Sequence, residues 1–418
     1  MAGEEEVQVV ESCFVTPAAD TPSRALRLSP FDLMLASRGY TPLVHFYRRP
    51  ETAGDDFFDV TRLKTALSKA LVPFYPLAGR LRAGADGRLE IDCNGKGTLF
   101  LMAHSRLTMD DFSDFKPSTK QRRLFVPHVT FLKCGGVVLG SAIHHAAMDG
   151  SVVFHFFRTW SAFSRDGDRA MVNLHCHDRS RLCARDPPVV HPDALSIFSP
   201  KINLPPQPGP VINEVLVFTL AKDQLSTLKR ISGGDGVSTL SAVSAHLWQW
   251  HATTQLMFSA NVRRIMRPPL PDGYFGNAII NLSVGDKAHA IASRELSYIA
   301  RQIRDTHKRV NDELVHSAID YLELAKRDDE RPATGNLPVT DIRVVSWLGM
   351  PSYDADFSWG RPFAMFRAEP NRGGFVHLND SAQGDGSVRI IMSIEVAILS
   401  EFKRLLYAKF DTMLYSKF

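Results

Sequence analysis

Apolar residues in the first half of the chain alternate between the two-residue period of strands and the 3.6-residue period of helices. Segments 6–15 and 42–49 have the strand pattern, and 59–71 has the helical one. Residues 87–103, GRLEIDCNGKGTLFLMA, predict a hairpin with an Asn-Gly turn. A β-rich stretch over 128–143 precedes a predicted helix over 151–165. The first half is therefore predicted to be mixed α/β.

The second half repeats this character. Strands are predicted over 213–220 and 387–399, and helices over 221–231, 238–252 and 400–410. Between Arg185 and Pro210 the prolines of DPPVVHPD and NLPPQPGP exclude regular structure over most of the span. We expect a pseudo-duplicated α/β protein with an N-terminal domain over 1–183, a crossover loop over 184–210 and a C-terminal domain over 211–418.

Length and composition fit this division. A chain of 418 residues is long enough for two domains, and 44% hydrophobic with 22% charged residues is typical of a globular protein. The formal net charge is +4 with short basic clusters, which gives no argument for nucleic acid and suits an anionic small ligand. Small-molecule substrates are the expected partners, and a monomer is the expected state.

The cysteines and the N-terminus bear on location. Five cysteines, an odd number without disulfide-domain spacing, predict reduced thiols. The acidic start MAGEEEVQVV does not resemble a signal peptide, and no apolar run approaches membrane-spanning length. These features predict a cytoplasmic protein with no membrane partner.

One short stretch carries the strongest candidate chemistry. In SAIHHAAMDG, residues 141–150, His144 and His145 lie where a predicted strand ends and a helix begins. A neutral imidazole at such a place is the usual general base. Asp149 follows four residues after His145, and Gly150 indicates a turn in which the aspartate supports local geometry. The alternative is that both histidines are only polar loop residues.

Two further stretches decide in favour of chemistry. Residues 353–362 read YDADFSWGRP, and 261–277 read NVRRIMRPPLPDGYFGN. Together with His145-Ala-Ala-Met-Asp149, they resemble the plant BAHD acyl-CoA-dependent acyltransferases, whose motifs are HxxxD and DFGWG. The resemblance implies two pseudo-symmetric domains like chloramphenicol acetyltransferase, with mixed sheets and a long crossover loop. It also implies acyl-CoA as co-substrate, with no bound cofactor and no metal.

The resemblance assigns roles to single residues. His145 is implied as the general base that deprotonates the acceptor, and Trp359 as an indole donor near the developing oxyanion. No cysteine or serine lies beside His145 at a nucleophile position, so we expect direct transfer without an acyl-enzyme. The resemblance also implies three structural residues, Asp149, Asp356 and Arg263, and Asp356 is expected to pair with Arg263. It implies Ser241 and Arg264 as contacts to CoA.

The chain also departs from the family pattern. Ser358 replaces a glycine of DFGWG, which costs backbone freedom if that position needs a positive φ. The chain is shorter than the pattern between RRLFVP and HVTFLK and between SAHLWQW and TTQLMF, which predicts missing loops or true deletions. LHCHD, residues 174–178, imitates a metal cluster, but its spacing fits no standard zinc pattern, and we expect a solvated loop.

The acceptor is predicted from a comparison with the hydroxycinnamoyltransferases, which the chain resembles most. Shikimate-type members carry an arginine where SWLGMP has Gly349, preceded by Leu348. Their pocket strand is here TPLVHFY, with Thr41 kept and with Leu43 and His45 replacing serine and tyrosine. An unpaired buried carboxylate is costly. We therefore expect a hydroxycinnamoyl or benzoyl group to be transferred to an amine, such as tryptamine or tyramine, giving an amide. The alternatives are an O-acyltransferase acting on shikimate or quinate and an inactive acyl-CoA-binding paralogue.

Overall fold

The computed structural model describes residues 7–52, 54–112, 129–173, 175–192, 212–251, 255–286, 288–327, 342–368 and 373–414. The chain forms two compact units. The first unit contains Met1–Cys183, Leu270–Ala278 and Met350–Pro370, and the second contains Ala184–Pro269, Ile279–Gly349 and Asn371–Phe418.

The first unit is built on a six-stranded mixed sheet. Its strands follow the order β1-β6-β7-β8-β3-β13, in which only β6 and β7 are parallel. The bounds are β1 Val7–Val15, β3 Tyr40–Tyr47, β6 Thr98–Ser105, β7 Val129–Leu132, β8 Val137–His144 and β13 Ala364–Arg367. A small sheet has the order β2-β5-β4, with β2 Ala25–Arg27, β4 Arg80–Ala83 and β5 Leu89–Asp92. The helices are α1 Pro30–Ala36, α2 Val60–Ala70 and α3 Gly150–Asp166.

Two helices show how the sequence sets these elements. Asp59 caps α2 by accepting a hydrogen bond from Arg62 N, and its apolar residues, Leu63 and Leu67 among them, are buried at helical spacing. Asp149 caps α3 in the same way through Val152 N. Trp160 on α3 is buried and donates its indole N–H to Leu63 O, which joins the two helices.

The second unit has a similar six-stranded mixed sheet, in the order β11-β10-β12-β14-β15-β9. Its strands are β9 Asn213–Leu220, β10 Gln255–Asn261, β11 Ile279–Gly285, β12 Ile342–Ser346, β14 Phe375–Asp380 and β15 Val388–Glu395. Its helices are α4 Lys222–Ile231, α5 Thr239–His251, α6 Ala288–Ser293, α7 Leu296–Lys308, α8 Asp312–Arg327 and α9 Leu399–Leu414. His246 on α5 hydrogen-bonds Leu406 O on α9. The predicted mixed α/β fold is confirmed in both units.

The contiguous division predicted from the sequence differs from the units observed. The first boundary, after Cys183, coincides with the prediction, but Leu270–Ala278 and Met350–Pro370 belong to the first unit. The reason is main-chain pairing: β13 adds to the edge of the first sheet beside β3, and Phe275 N donates to Cys176 O. Most of the predicted crossover and both short junctions, apart from their edges, lie outside the described residues. Within the described part of the crossover, Arg185 forms ion pairs with Asp320 and Glu313 on α8.

The predicted hairpin over 87–103 is wrong. Its turn exists, since Gly95 has φ +65°, but the two strands it was expected to pair enter different sheets. β5 pairs with β2 and β4, whereas β6 pairs with β1 and β7. Partners far along the chain therefore decided a pairing that local turn chemistry left open.

None of the described helices is both long and apolar enough to cross a bilayer.

Candidate active site

His145 lies at the carboxyl end of β8. The strand ends at His144, and the next residues turn toward α3. His145 N donates to Gly39 O at 2.8 Å, so the turn is fixed beside the start of β3, where Tyr40 pairs with His144. The predicted position of the histidine between a strand and a helix is confirmed.

The imidazole of His145 is held in its neutral form. Burial lowers its pKa to about 4, and the positive charge of Arg38 and, more weakly, that of Arg367 act in the same direction. A contact with its own backbone and the charge of Asp149 oppose this shift. At neutral pH the ring is therefore unprotonated and able to accept a proton.

Buried polar residues hold the main chain of this loop. Asn277 Nδ2 donates to His145 O at 2.8 Å and also to Asp32 Oδ1 at 2.8 Å. Arg179 donates to Ala147 O at 3.0 Å and forms an ion pair with Asp32 at 3.1 Å. The Asp32 side chain is fully buried, so these bonds form in a low-dielectric interior, where a hydrogen bond is electrostatically stronger than in water.

Asp149 makes contacts typical of a scaffold residue. One carboxylate oxygen accepts from Val152 N at the start of α3, and the other accepts from Ala278 N at 3.0 Å. The side chain is 2% exposed. It thus joins the histidine loop to the segment Leu270–Ala278, and its structural role stays a prediction supported by these bonds.

Trp359 does not lie where the predicted oxyanion role requires. Its indole stacks on Phe58 at 5.0 Å, and Phe58 in turn contacts Tyr47 at 4.6 Å. Tyr47 ends β3, whereas His145 lies beyond Tyr40 at the other end, and eight strand residues span roughly 23 Å. We therefore correct the predicted role: Trp359 belongs to an aromatic layer at the far end of this strand, with Arg62 over its ring at 4.9 Å.

The second motif loop is organised around its own backbone. Asp356 Oδ1 accepts from Ser358 N at 2.9 Å and from Gly360 N at 3.1 Å. Ser358 has φ +83°, so this position does require the left-handed region that a glycine adopts without cost. Arg263 is in the second unit, where it bonds Asn261 Oδ1, and its pairing with Asp356 stays a prediction.

The predicted acceptor residues of β3 differ in accessibility. Thr41, Leu43 and His45 alternate on one face, but Leu43 is 2% exposed and His45 is fully buried. The His45 ring packs on Phe157 of α3 at 4.7 Å, and burial lowers its pKa to about 3. His45 is therefore a core residue and not a pocket residue, because its register places it under α3. Thr41, half-buried, stays a candidate.

Besides Arg263, four predicted residues belong to the second unit. Leu348 and Gly349 follow β12, and Gly349 N donates to Asp380 Oδ2 at 2.7 Å. Gly349 has φ +72°, and a Cβ added to it would meet no atom within 4 Å. Ser241 is buried and its Oγ bonds Ser238 Oγ, whereas Arg264 is exposed. Their acceptor and CoA roles stay predictions.

Within LHCHD, residues 175–177 are half-buried and do not form a solvated loop. His175 packs against Phe74 at 4.0 Å and its Nδ1 donates to Gly273 O at 3.1 Å, and His177 packs against Tyr75 at 4.4 Å. Burial lowers the pKa of both imidazoles to about 4. These rings fill a half-buried aromatic cluster in the first unit, and no three ligating side chains among the described residues are placed to hold a metal ion.

Several residues around His145 were not predicted from the sequence. Asp32, Arg179, Arg38 and Arg367 are separated from His145 by tens to hundreds of residues, and no short motif marks them. Asn277 ends the stretch 261–277 and had a local signal, but nothing in that stretch indicated that its amide would hold the carbonyl of His145.

Comparison with known proteins bears on the whole chain. The transferase family model matches residues 5–408. A putrescine hydroxycinnamoyltransferase of Oryza sativa subsp. japonica is 38% identical, over 96% of this chain and 98% of that protein. A shikimate O-hydroxycinnamoyltransferase of Nicotiana tabacum is 36% identical, over 96% and 99%. A hydroxycinnamoyl-CoA:5-hydroxyanthranilate N-hydroxycinnamoyltransferase of Avena sativa is 33% identical, over the same shares.

Solved structures agree on the fold. Vinorine synthase superposes with a TM-score of 0.73 at 21% identity, covering 94% of this chain and 96% of that one. TRI101 of F. graminearum, complexed with coenzyme A and T-2 mycotoxin, gives 0.76 at 15% identity, covering 91% and 97%. The family match, the relatives and the fold together show that the chain belongs to the BAHD family of acyl-CoA-dependent acyltransferases.

Proposed function

We propose that the chain transfers a hydroxycinnamoyl group from CoA to the nitrogen of an amine with an aromatic body, giving an amide. The observation that carries the proposal is the neutral imidazole of His145, fixed at the end of β8 in a chain of this family. The hydroxycinnamoyl donor is supported by the activities for which the rice, tobacco and oat relatives are named, all of which transfer this group.

The chemistry follows from the state of His145. The neutral ring takes a proton from the amine as the nitrogen attacks the thioester carbonyl. The C–N bond forms, the C–S bond breaks, and the proton leaves with the CoA sulfur. The absence of a nucleophile at a matching position beside His145 supports direct transfer.

An amine acceptor is supported by two features. Gly349 stands where shikimate-type members have an arginine, so an anchor for a shikimate carboxylate is missing at that position. Thr41 and Leu348 carry no charge, which favours an apolar acceptor body over a second ammonium group. The rice and oat relatives transfer to putrescine and 5-hydroxyanthranilate, so nitrogen acceptors occur among proteins of similar sequence. Arylalkylamines such as tryptamine and tyramine are our preferred class, and the tobacco relative supports shikimate as the competing acceptor.

The test is an acceptor panel. The purified chain is given coumaroyl-CoA with tryptamine, tyramine, putrescine, agmatine, shikimate or quinate, and CoA release and product mass are measured. We expect amides of tryptamine or tyramine, with kcat/KM at least about 10-fold above that for shikimate, as one charge-assisted bond to a carboxylate would be missing. Esters as the main product would make the chain an O-acyltransferase. Acyl-CoA binding without turnover on any acceptor would make it an inactive paralogue.

A variant pair sharpens the result. Gly349→Arg restores a cation, and we expect the ratio of the kcat/KM for shikimate to that for tryptamine to rise about 10- to 100-fold. Because φ is +72°, any side chain there costs about 1–2 kcal/mol of backbone strain. Gly349→Ala carries the same strain without the charge and is the matched control. A ratio that changes equally in both variants would contradict the placement of the acceptor near Gly349.

A further inference from the structure

Strand β14 of the second unit has two faces of different character. Val376 and Leu378 are on one face, and both are fully buried apolar residues. Phe375, His377 and Asn379 alternate with them and are therefore on the other face. Asn379 is also fully buried, although asparagine is depleted in strands and is mostly an exposed residue. Its place in the interior of this sheet needs a physical explanation.

The carboxamide of Asn379 is buried without a partner. Neither its Oδ1 nor its Nδ2 forms a hydrogen bond within the described part of the chain, and both atoms are shielded from solvent. Removing an amide from water without replacing its hydrogen bonds is unfavourable, so most buried polar side chains have a partner. This exception indicates a partner that is not part of the fold, which a bound ligand or a buried water could supply.

A row of rings leads to this amide. The ring of His377 is 5.0 Å from that of Phe375 on one side and 5.1 Å from that of Trp347 on the other. Strands β12 and β14 are parallel neighbours, and Trp347 N continues their ladder by donating to Leu378 O at 2.8 Å. This register places Trp347 level with Asn379 on the adjacent strand, about 5 Å away. The unpartnered amide is therefore beside the last ring of the row.

The position of the missing arginine lies at the same end of the sheet. Gly349 follows β12, and its N–H donates to Asp380 Oδ2 at 2.7 Å. Asp380 is the residue after Asn379 and ends β14. Leu348 is half-buried and Gly349 is exposed, so solvent reaches this strand end close to the buried amide. Asn379 is thus beside the segment in which shikimate-type members of the family carry their arginine.

On this geometry, and resting on the proposed function, we infer that Asn379 binds a hydroxyl group on the aromatic body of the acceptor, so that the preferred substrate is a phenolic arylalkylamine such as tyramine. A phenol hydroxyl donates one hydrogen bond and accepts others, so it can satisfy both Oδ1 and Nδ2 of the amide. The indole N–H of tryptamine only donates and would leave Nδ2 unpaired. The phenol ring itself suits the row of rings that ends at Trp347. Asn379 determines specificity in this scheme and takes no part in proton transfer.

The test compares two acceptors that differ only by the hydroxyl group. Coumaroyl transfer to tyramine and to phenethylamine is measured in wild type and in Asn379→Leu, which removes both polar atoms. In wild type we expect kcat/KM for tyramine to exceed that for phenethylamine by about 10-fold or more, because phenethylamine leaves the amide unpaired. Asn379→Leu should lower this ratio about 10-fold through a higher KM for tyramine, and should change kcat/KM for phenethylamine less than about 3-fold.

A matched control separates ligand binding from folding. Asn281, on β11 of the same sheet, has an amide bonded within the fold: its Oδ1 accepts from Ser259 Oγ at 3.0 Å and from Arg343 at 2.9 Å. Asn281→Leu should lower the midpoint of thermal unfolding and leave the ratio of the two constants unchanged. Asn379→Leu removes an unpartnered amide, so its midpoint should not fall. Asn379→Ala, a smaller replacement, should lower the ratio in the same direction if leucine does not fit.

Three outcomes overturn the inference. The first is an equal kcat/KM for tyramine and phenethylamine in wild type. The second is a preference for tyramine that both Asn379→Leu and Asn379→Ala keep, which would leave the amide to a buried water. The third is an equal loss for both acceptors together with a lower unfolding midpoint, which would make Asn379 a structural residue. Amide formation without hydroxyl preference removes only this inference, whereas ester formation without any amide removes the proposed function.

Discussion

The two motif loops of the first unit use an aspartate in opposite ways. In the loop after β8, the carboxylate of Asp149 is buried and bonds two amides that are more than 120 residues apart, Val152 N and Ala278 N. In the loop over 353–360, the Asp356 carboxylate bonds Ser358 N and Gly360 N, within its own turn. One aspartate joins distant segments, and the other shapes a local turn.

The loops also differ in how their main chains are held. Carbonyls of the histidine loop accept from Asn277 and Arg179, two side chains of a buried network. Carbonyls of the second loop accept from Tyr47, Ser164 and Arg165, on β3 and α3. Both loops are firmly attached, but only the first presents a neutral imidazole. The residue types of a motif therefore do not reveal which loop performs chemistry.

The largest effect expected is on turnover. His145→Ala should lower kcat about 100-fold or more, because it removes the proton acceptor, with little change in CoA binding. The matched control is His144→Ala: that ring packs edge-on against Tyr40 and is expected to change kcat less than about 3-fold. A near-normal rate in His145→Ala, or a trapped covalent acyl-enzyme, would contradict direct transfer with His145 as base.

The pH profile of the wild-type enzyme tests the same residue. Protonation of His145 removes the base, so kcat/KM should fall near pH 4 and not near the ordinary value of 6.5. Folding must be followed in parallel, because the pKa of buried His45 is lowered to about 3. The stability that the neutral form of His45 contributes is fully present above pH 6.5. Between pH 6.5 and pH 3 it decreases by up to about 1.4 kcal/mol per pH unit, because the unfolded chain binds a proton there that the folded chain does not.

The second effect is on the free energy of unfolding, in which Asp149 and Asp356 are expected to differ. Asp149→Ala should lower the free energy of unfolding by about 2–4 kcal/mol, since a helix cap and a buried charge-assisted bond are lost together. Asp356→Ala, which loses two bonds within a turn, should cost about 1 kcal/mol. Denaturant unfolding measures both.

The pairing predicted between Asp356 and Arg263 would raise the stability cost of Asp356→Ala toward that of Asp149→Ala. A double-mutant cycle of Asp356→Ala with Arg263→Ala isolates the coupling between them. A coupling above about 1 kcal/mol, together with a larger cost for Asp356→Ala, establishes the pair. Additive single changes would leave Asp356 as a turn residue alone.

The smallest effect concerns the departure at Ser358. Because its φ is +83°, Ser358→Gly should raise the free energy of unfolding by up to about 1 kcal/mol, as relief of the strain exceeds the entropy that a glycine adds to the unfolded chain. Ser37, with φ −67°, is the matched control, and Ser37→Gly should be neutral or destabilising. A stability gain in both variants would contradict the backbone explanation.

Local patterns determined much of this protein. The periods of apolar residues gave the helices α2 and α3 and the strand β9 nearly to the residue, because a buried face leaves its repeat in the sequence. The motif HxxxD located His145 at the end of a strand. The turn at Gly95 was likewise local, since only its own φ is involved.

Tertiary structure decided what local patterns leave open. Strand partners come from anywhere in the chain, so the hairpin over 87–103 separated into two sheets, and β13 joined the first sheet across more than 300 residues. Register then placed His45 under α3, and stacking on Phe58 put Trp359 at the far end of β3 from His145. Burial and neighbouring charge, which fix the protonation of His145, exist only once those pairings have formed.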